Sequence, residues 1–426
     1  MTTTPSRPLS AWPGLDVVPS GPRSAVASRV ARQIFRAAVR RLPVTVREGG
    51  QTFGQGGPEM VIHRPEEFYA RLGQDGLIGF GEAYLVRAFE AEDLGGFLTV
   101  LAAEMPRLVP QPLQKLRAAY VRRPPKTHDN TTDHTRDNIA HHYDLSNDMF
   151  RTFLDETLSY SSALFDTSVT THTGWSQAAP PESGHAESLA AAQVRKVERL
   201  LDQAGVTAGS RVLEIGTGWG ELAIRAAARG ATVHSVTLSS EQLELAEQRV
   251  AEAGYADQVT IALSDYRDVT GSFDAIVSVE MIEAVGHDYW PTYFATIDRL
   301  LAPGGKVGIQ AITMPHDRML ATRQTYTWIH KYIFPGGFLP STEAIQQVVR
   351  EHTSLAISDR LSFGRHYAET LQRWDVAFAA ASDEVRALGF DETFERMWHF
   401  YLEYSRAGFA SGYIDVQQIT LERPTA

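Results

Sequence analysis

The 426-residue chain contains no cysteine. Disulfide bonds, thiolate nucleophiles and cysteine-ligated zinc or iron–sulfur sites are therefore excluded from its chemistry, although this absence says little about the cellular compartment. The sequence also lacks any run approaching the roughly 20 apolar residues that span a membrane, and its N-terminus lacks the short apolar core of a signal peptide. We therefore expect a cytoplasmic protein with no membrane-spanning segment.

Basic residues are also outnumbered, because the chain has 40 Lys and Arg residues and 51 Asp and Glu residues, which gives a formal net charge of −11. That balance argues against bulk binding of nucleic acid. Hydrophobic residues make up 43% of the chain and aromatic residues 10%, which is enough to bury a large core. The length exceeds one ordinary domain. We predict an N-terminal α/β domain over residues 1–125 and a catalytic domain over residues 126–426.

Three segments outside the main motifs help to define this organisation. Ile62–Leu101 is typical of a small α/β unit. Val109–Arg136 is rich in Pro, Arg, Asp and Thr and is predicted to be a linker. Thr167–Ser188, with its Thr, Pro, Gly and Ser residues, is predicted to be an exposed loop.

The first motif is the stretch VLEIGTGWGE at residues 212–221. An apolar strand, Arg211–Ile215, breaks into alternating glycines and opens a helix, Glu221–Arg229, which together form a βα unit. Glycine lets the backbone turn tightly and lets a ligand approach the N–H groups of the helix N-terminus. The dinucleotide fingerprint would have glycine at position 221 and an acidic residue near position 237, but this chain has Glu221 and Thr237. NAD is therefore disfavoured.

Four further apolar strands follow this unit and alternate with helical segments. We predict them at Ala231–Val236, Val259–Leu263, Phe273–Val279 and Lys306–Ile312. Five strands that alternate with helices indicate an α/β fold with a doubly wound parallel sheet. Ligands of such sheets bind beyond the carboxyl ends of the strands.

Polar residues stand at those carboxyl ends. Thr237, Leu238 and Gln242 follow the second strand, where a hydroxyl and an amide would meet a ribose. Asp265 and Tyr266 follow the third strand and offer a carboxylate to an adenine amino group and an aromatic face for stacking. Each piece alone could be an ordinary turn, helix cap or strand end. Their combined order resembles the class I S-adenosylmethionine (SAM) methyltransferases.

A longer resemblance covers the chain from about residue 135 to its end. It rests on four blocks: NIAHHYDLSNDMFRTFLDETLSYSSALF at 138–165, EMIE at 280–283, WIHKYIFPGG at 328–337 and HYAETL at 366–371. These motifs resemble the cyclopropane-fatty-acid synthase family. HRP at 63–65, GLIGFGEAY at 76–84 and GIQAITMPHDRMLATR after Val307 are more similar to its actinobacterial branch. That branch methylates oleoyl phospholipids to 10-methylene-stearate, the precursor of tuberculostearic acid.

The resemblance implies a bound bicarbonate as the proton acceptor, held by a cysteine, a glutamate, a histidine, a backbone carbonyl and a tyrosine. In this chain Glu283, the Ile312 carbonyl and Tyr367 match three of these groups. Ser162 stands in the cysteine position and Gln310 in the histidine position, and both can still hydrogen-bond a carbonate. Loss of the titratable histidine places the base and the cyclopropane product in doubt. Glu283 acting directly as the base is the alternative.

The resemblance also implies residues for SAM and for the acyl chain. The SAM set is Tyr160, Ser161, Glu214, Gly216, Thr217, Gly218, Gly220, Thr237, Leu238, Gln242, Asp265 and Tyr266, of which Tyr160 and Ser161 rest on resemblance alone. A carbocation on the acyl chain would be shielded by the aromatic faces of Tyr367, Tyr143, Trp328, Tyr332 and Phe334. Ordinary core packing is the other interpretation of these aromatic residues. Met314–Phe363 reads as an aromatic insertion in place of the usual helix and hairpin, and we predict an acyl-chain lid over about residues 313–380.

Basic residues suggest contact with a lipid surface. Arg23–Leu42 has the spacing of an amphipathic helix, with arginines at 29, 32, 36, 40 and 41 and apolar residues at 26, 30, 34, 35, 38 and 42. Such a helix can lie on anionic lipid, or its apolar side can pack on its own domain. A phospholipid substrate favours the first interpretation, in which Arg318, Arg323, His330 and Lys331 would add phosphate contacts.

The sequence as a whole predicts a SAM-dependent C-methyltransferase that acts on unsaturated acyl chains of phospholipids and gives a 10-methylene product. Cyclopropane formation on the same substrate, methylation of a small soluble acceptor and non-enzymatic lipid binding are the alternatives. We expect a homo-oligomer peripheral to the inner face of the membrane. A separate flavin-dependent reductase would be the partner if a saturated methyl branch is the end product.

Overall fold

The computed structural model describes residue 12 and residues 14–104, 146–182 and 184–424. These residues form two compact units, and neither is continuous in sequence. The first unit contains the described residues up to 104, Gln324–Ile333 and Trp374–Tyr413. The second contains the described residues from 146 to 323, Phe334–Arg373 and the residues from Ile414 onward. Two segments of the predicted catalytic domain, Gln324–Ile333 and Trp374–Tyr413, thus belong to the N-terminal unit.

The first unit is built on a small sheet with the strand order β2-β1-β3-β4. Its strands are β1 (Thr45–Glu48), β2 (Gln51–Gly54), β3 (Glu59–Ile62) and β4 (Phe89–Glu90). Its helices before the undescribed stretch are α1 (Pro22–Val39), α2 (Pro65–Asp75), α3 (Leu77–Leu85) and α4 (Leu94–Ala103). Proline occupies the first turn of both α1 and α2, where its missing N–H costs nothing. An α/β unit is therefore present, as the pattern of Ile62–Leu101 predicted.

The second unit is built on a nine-stranded sheet with the order β5-β6-β12-β13-β11-β10-β7-β8-β9. The strands are β5 (Val169–His172), β6 (Trp175–Ala178), β7 (Arg211–Ile215), β8 (Thr232–Thr237), β9 (Val259–Leu263), β10 (Phe273–Val279), β11 (Leu301–Thr313), β12 (Ala356–Ser362) and β13 (Asp415–Glu422). Strands β9, β8, β7, β10 and β11 are parallel, whereas β13 runs antiparallel to both β11 and β12. The doubly wound parallel sheet predicted from the sequence is confirmed.

Helices connect these strands and complete the described part of the chain. They are α5 (Asn147–Arg151), α6 (Leu189–Gln203), α7 (Glu221–Ala228), α8 (Ser240–Glu252), α9 (Ile282–Val285), α10 (Trp290–Leu300), α11 (His316–Thr322), α12 (Trp328–Tyr332), α13 (Thr342–His352), α14 (Gly364–Ala380), α15 (Ser382–Ala387) and α16 (Glu392–Ala410).

Strand periodicity divides the core of the second unit between the two faces of the sheet. Val212 packs with the helices α6 and α7 on one face, while its neighbour Leu213 packs with α10 on the other. Successive side chains of a strand point to opposite faces, so a parallel sheet covered on both sides reads as a continuous apolar run. The chain order of the strands reverses direction between β7 and β10, which lie side by side in the sheet and are parallel. Their carboxyl ends therefore form the point of the sheet at which ligands bind.

Two sequence predictions about this unit are wrong in part. Met314–Phe363 is not wholly an insertion, because α13 packs in the core through Ile345 and Val349 and β12 pairs with β13 as part of the main sheet. The long insertion stands instead between β12 and β13. Thr167–Ser188 is not simply a loop, because it contains the hairpin β5–β6 at the edge of the sheet. The predicted linker, residues 109–136, lies entirely outside the described residues.

The basic helix at the N-terminus exists as α1, and its two faces have different surroundings. Arg32 and Arg36 both bind Glu48, and Phe35 packs edge-on against Phe68 with ring centroids 5.2 Å apart. On the outer face, by contrast, Val26 and Val30 are 61% and 47% exposed, and the neighbouring Arg29, Arg40 and Arg41 are exposed as well. Part of the predicted apolar stripe thus packs on its own unit and part faces solvent. Within the described residues, no helix is long and apolar enough to cross a membrane.

Candidate active site

The glycine turn lies directly beyond the carboxyl end of β7. Gly216, Gly218 and Gly220 have φ angles of 95°, 53° and 89°, which side chains with a Cβ atom rarely adopt. A Cβ atom on Gly216 would lie 2.5 Å from Cγ of Met281, whereas one on Gly218 would meet no atom of the described residues within 4 Å. The turn is therefore packed on one side and open on the other. Within the part of the chain that the structure describes, no side chain caps the N-terminus of α7, so its first-turn N–H groups can face a ligand.

The buried side chains of Thr217, Ser235 and Glu214 form a chain of hydrogen bonds next to this turn. Ser235 Oγ donates to Oε2 of Glu214 at 2.5 Å, and the Thr217 and Ser235 hydroxyls lie 2.7 Å apart. Burial raises the pKa of Glu214 to about 8, against the opposing effects of the Ser235 hydrogen bond and the charge of Lys196. Glu214 and Thr217 therefore stabilise the turn, which presents its backbone to the open side.

The block after β8 is held in shape by its own polar groups. Thr237 Oγ1 donates to Oε1 of Gln242 at 3.1 Å and accepts from the Ser239 N–H at 3.2 Å. Ser239 caps α8 by accepting from the Gln242 N–H at 3.2 Å. Thr237 and Gln242 are buried and Leu238 is half-buried. The structure thus brings the predicted ribose-binding residues together at the carboxyl edge of the sheet, beside the glycine turn.

The two residues predicted to bind adenine differ in their availability. Asp265 accepts hydrogen bonds from the Arg267 backbone and guanidinium, and these outweigh burial and lower the pKa of its carboxyl. Tyr266 is only 9% exposed and packs edge-on against Tyr293 with centroids 5.5 Å apart. Asp265 is therefore an oriented anion, whereas the Tyr266 ring is mainly part of the core.

A polar cluster lies beyond the carboxyl end of β10, next to the glycine turn, and its centre is Glu280. The Ser162 N–H and Gln310 Nε2 donate to Oε1 of Glu280 at 2.9 and 2.8 Å, and the Tyr367 hydroxyl donates to Oε2 at 2.7 Å. Burial raises the pKa of Glu280, and these three hydrogen bonds and the charge of Lys196 oppose that rise without cancelling it.

Glu283 brings a second carboxylate to the same cluster. Its Oε1 accepts a short hydrogen bond from the Ile312 N–H, while its Oε2 is shielded from solvent and has no partner among the described residues. Burial and the nearby charge of Glu280 raise its pKa to about 8, against the effect of the Ile312 N–H. Met281 lies between the two glutamates in sequence and contacts Gly216. The carboxylate pair therefore adjoins the glycine turn.

The chain can be compared with known proteins on this basis. The family model described as mycolic acid cyclopropane synthetase matches residues 130–419. The chain belongs to this family. Tuberculostearic acid methyltransferase UfaA1 of Mycobacterium tuberculosis is 52% identical over 427 residues, which cover 99% of this chain and 97% of the relative. The cyclopropane-fatty-acyl-phospholipid synthase of Escherichia coli is 34% identical, with 86% of this chain and 88% of the relative covered.

Solved structures of the mycolic acid cyclopropane synthetase family agree with the fold. The cyclopropane synthase MmaA2 of Mycobacterium tuberculosis has a TM-score of 0.59 at 30% identity, and the match covers 67% of this chain and 97% of that structure. Mycolic acid cyclopropane synthase CmaA1, solved with SAH and CTAB, has the same score, identity and coverage. These relatives are named as methyltransferases and synthases, so the chain is a member of a family of enzymes.

The residues that family resemblance assigned to a bicarbonate are engaged with side chains of the protein itself. Gln310 and Tyr367 donate to Glu280, and the Ile312 N–H donates to Glu283. Ser162 contributes its backbone N–H to Glu280, whereas its hydroxyl donates to the Ala163 carbonyl at 3.0 Å. Four of the five predicted residues therefore meet around two carboxylates, and the bicarbonate itself stays a prediction.

Two members of this cluster were missed as site residues. Glu280 belongs to the family motif EMIE, which assigned it no role, and Lys196 stands in none of the motifs. Lys196 is buried and donates to Ser161 Oγ at 2.6 Å, and burial lowers its pKa to about 8. A charged residue on the buried face of a helix was the available signal for Lys196. Tyr160, the other residue that rested on resemblance, packs edge-on against Phe150 with centroids 5.1 Å apart.

The predicted acyl-chain aromatics do not all belong to one unit. Trp328 is 1% exposed and packs in the first unit against Phe400, with centroids 4.7 Å apart. Tyr332, in the same unit, donates to Oε1 of Glu82 at 3.1 Å. Phe334 is half-buried in the second unit, and Tyr143 lies outside the described residues.

The predicted phosphate-binding residues already have partners within the protein. Lys331 forms an ion pair with the buried Glu82 at 2.5 Å, and Arg323 binds Asp288 at 2.9 Å. His330 forms a capping box with Thr327 at the start of α12. Nε of Arg318, the last of the four predicted residues, lies 3.9 Å from Oδ2 of Asp317.

Proposed function

We propose that this protein is a SAM-dependent C-methyltransferase that methylates the double bond of an unsaturated acyl chain in a phospholipid and releases a 10-methylene product. The observation that carries the proposal is the contact between Met281 and Gly216, which joins the open glycine turn to the carboxylate pair. A methyl-donor site and a proton-accepting site are then adjacent. Conversion of an alkene to a methylene product requires both, first to add the methyl group and then to remove a proton.

The residues that would hold SAM are those of the turn and the neighbouring strand ends. Gly218 would admit the ligand to the backbone, Thr237 and Gln242 would meet the ribose, and Asp265 would accept from the adenine amino group. Bound SAM supplies an electrophilic methyl group, which an isolated alkene needs because it is a poor nucleophile. The carboxylate cluster acts afterwards, by removing a proton from the positively charged acyl chain.

Support for the substrate and the product comes from the relatives. The relative with 52% identity is named a tuberculostearic acid methyltransferase and covers almost the whole chain, whereas the cyclopropane-fatty-acyl-phospholipid synthase is 34% identical. Gln310 also supports an outcome other than cyclopropane, because an amide cannot titrate as a histidine would at this position. We therefore propose that the methylated chain loses its proton without ring closure.

The first test is incubation of the protein with SAM and oleoyl-phospholipid vesicles, followed by mass spectrometry of the fatty acids. A product one CH2 heavier than oleate is expected, and its ozonolysis should give a ketone at the tenth carbon. An ozone-resistant product of the same mass would mean cyclopropane formation. Vesicles of stearoyl phospholipid, which lack the double bond, are the matched control and should gain no mass.

We also propose that the outer face of α1 docks on anionic membranes. Val26 and Val30 offer exposed apolar side chains, and Arg29, Arg40 and Arg41 stand nearby to meet lipid phosphates. The double substitution Val26→Asp with Val30→Asp should abolish co-flotation with anionic vesicles. Val376→Asp is the matched control, because Val376 is 64% exposed on α14, and it should leave flotation unchanged. Equal flotation of all three proteins would exclude α1 as the docking face.

A further inference from the structure

Three neutral donors converge on one carboxylate in the active-site cluster. The Ser162 N–H, Gln310 amide and Tyr367 hydroxyl each lie between 2.7 and 2.9 Å from an oxygen of Glu280. A carboxylate oxygen has two lone pairs. From the described residues, Oε1 receives two of these hydrogen bonds and Oε2 receives one, so Oε2 keeps one lone pair for a further proton donor. The Glu280 side chain is therefore arranged as a carboxylate anion whose Oε2 can accept one more hydrogen bond or a proton.

The backbone at Glu280 adopts a conformation that its side chain does not favour. Its φ angle is 52°, in the left-handed region where glycine is the usual residue. Such a conformation costs a non-glycine residue on the order of 1 kcal/mol or more, and it persists where the surrounding structure imposes it. The Glu280 N–H also donates to the Gln310 carbonyl at 2.8 Å. Strain of this kind is concentrated at functional sites, because it places a side chain where an unstrained backbone would not.

The two carboxylates of the cluster are not equivalent. Glu280 accepts three hydrogen bonds, whereas Glu283 accepts one from a backbone N–H and leaves Oε2 without a partner among the described residues. Two neighbouring carboxylates do not both ionise readily, and the proton goes to the one with fewer donors. The burial and the nearby charge that raise the pKa of Glu283 to about 8 agree with this division. Glu283 is therefore the protonated member and Glu280 the anion.

We propose that Glu280 is the catalytic proton acceptor of this enzyme, a built-in carboxylate that makes an external anion unnecessary. This inference rests on the proposed function. The π electrons of the alkene would form the new carbon–carbon bond while the bond between the methyl carbon and the sulfur of SAM breaks and sulfur keeps that electron pair. A positive charge is then left on the neighbouring chain carbon. A hydride shift then moves the charge to the methylated carbon. A C–H bond of the new methyl group breaks, its electron pair becomes the exocyclic double bond, and its proton passes to Oε2 of Glu280. Glu280 releases that proton to water when the product leaves.

The experiment compares Glu280→Gln and Glu280→Gly with the wild type in the vesicle assay. Both variants should lose about 10³-fold in kcat, a typical contribution of a general base. Glycine relaxes the backbone at φ 52° and removes the side chain, so a small carboxylate has room to enter. Added formate should therefore restore part of the turnover of Glu280→Gly in a saturable manner. Glutamine fills the space, so formate should not restore Glu280→Gln.

A second measurement needs no turnover. Formate should raise the melting temperature of Glu280→Gly, and it should not change that of the wild type, whose anion site is filled by its own side chain. Arg87→Gly is the matched control, because Arg87 also has a positive φ, of 59°, and lies in the other unit. Its melting temperature should not respond to formate. Melting curves also show that Glu280→Gly is folded.

Three results would overturn the proposal. The first is near-normal turnover of Glu280→Gly without added anion. The second is a wild type that methylates oleoyl phospholipid but stops when bicarbonate and carbon dioxide are removed. The third is a folded Glu280→Gly that formate does not stabilise. A wild type that methylates no acyl chain would contradict the proposed function instead, and the formate-dependent melting would still decide whether Glu280 fills an anion site.

Discussion

A buried glutamate is used differently in the two units of this protein. In the first unit, Glu48 is buried against two arginines and Tyr69, with Arg36 Nη2 2.9 Å and the Tyr69 hydroxyl 2.7 Å from its oxygens. Burial alone would raise the pKa of Glu48, but the hydrogen bonds from Arg32, Tyr69 and Arg36 lower it. In the second unit, the donors that the described residues bring to Glu280 are all neutral and Glu283 accepts from one of those residues, and the pKa values of both carboxyls are raised.

The difference shows that the partners of a carboxylate decide what burial does to it. Cations directly paired with Glu48 keep it charged at neutral pH and make it a structural link between α1 and β1. Neutral donors hold Glu280 in place without fixing its charge as firmly, so it can take up a proton and release it. The same side chain is thus a structural group in one unit and a reactive group in the other. Four predictions test this contrast.

The largest expected loss of stability comes from Glu48→Gln. This substitution leaves the guanidinium groups of Arg32 and Arg36 without their carboxylate, and removal of one partner from a buried ion pair costs about 3 kcal/mol. Chemical denaturation should show this loss, while turnover per folded molecule stays unchanged. Glu59→Gln is the control, since Glu59 pairs with Arg47 on the surface and should cost less than about 1 kcal/mol. A similar cost for both variants would contradict the role given to Glu48.

The second prediction concerns the pH dependence of stability. Folding raises the pKa of Glu283 from an ordinary value of 4.5 to about 8, so within that range the folded protein binds a proton that the unfolded chain has released. The free energy of unfolding should therefore fall as the pH rises from 4.5 to 8, by up to about 1.4 kcal/mol per pH unit for one group. Glu283→Gln should remove this contribution.

Glu48 should show the opposite sign in the same denaturation series. Its pKa is lowered by folding, so its stabilising contribution is present at neutral pH and is lost as the pH falls through the folded value. Glu48→Gln should therefore reduce the pH dependence of the free energy of unfolding on the acid side. Glu283→Gln should reduce that dependence above pH 4.5. If Glu283→Gln leaves the slope between pH 4.5 and 8 as in the wild type, Glu283 is not the protonated member of the pair.

The third prediction weakens a donor to Glu280. Tyr367→Phe removes the hydroxyl that donates to Oε2, and we expect kcat to fall about tenfold. A lost donor destabilises the carboxylate relative to the acid, so the pKa of Glu280 rises and the ascending limb of the pH–rate profile moves to higher pH. Tyr255→Phe is the control, because Tyr255 packs against the core cluster that contains Val212, of which neither Tyr367 nor Glu280 is a member. An unshifted profile in Tyr367→Phe would separate Tyr367 from the titrating group.

Local patterns explain why the glycine turn and the strands could be predicted. The strands Val259–Leu263 and Phe273–Val279 have the bounds that the sequence indicated, because both are short apolar runs between turn residues. Reliance on local patterns also explains why the predicted insertion at Met314–Phe363 was misplaced. Thr342–His352 carries its apolar residues at helical spacing, but the aromatic and basic residues before it dominated the interpretation of the whole segment.

The carboxylate cluster could not be predicted in this way, because its members are far apart in the chain. Glu280 meets Ser162, Tyr367 and Gln310 at separations of 118, 87 and 30 residues. Resemblance supplied the three donors as holders of an anion. It did not supply Glu280 as the group they bind, since only the folded backbone, with its positive φ, turns that side chain toward them. Lys196 was missed because its partner Ser161 is 35 residues away.

The smallest expected effect belongs to Ser162→Cys. Ser162 holds Glu280 through its backbone N–H, which every residue except proline retains, while its hydroxyl donates to the Ala163 carbonyl. A thiol donates poorly, so the substitution should cost about 1 kcal/mol of stability and change kcat by less than about threefold. Ser161→Ala, which leaves the buried Lys196 ammonium without its hydroxyl, provides a comparison and should cost more. A large loss of kcat in Ser162→Cys would mean that the hydroxyl, and not the backbone, supports the reacting carboxylate.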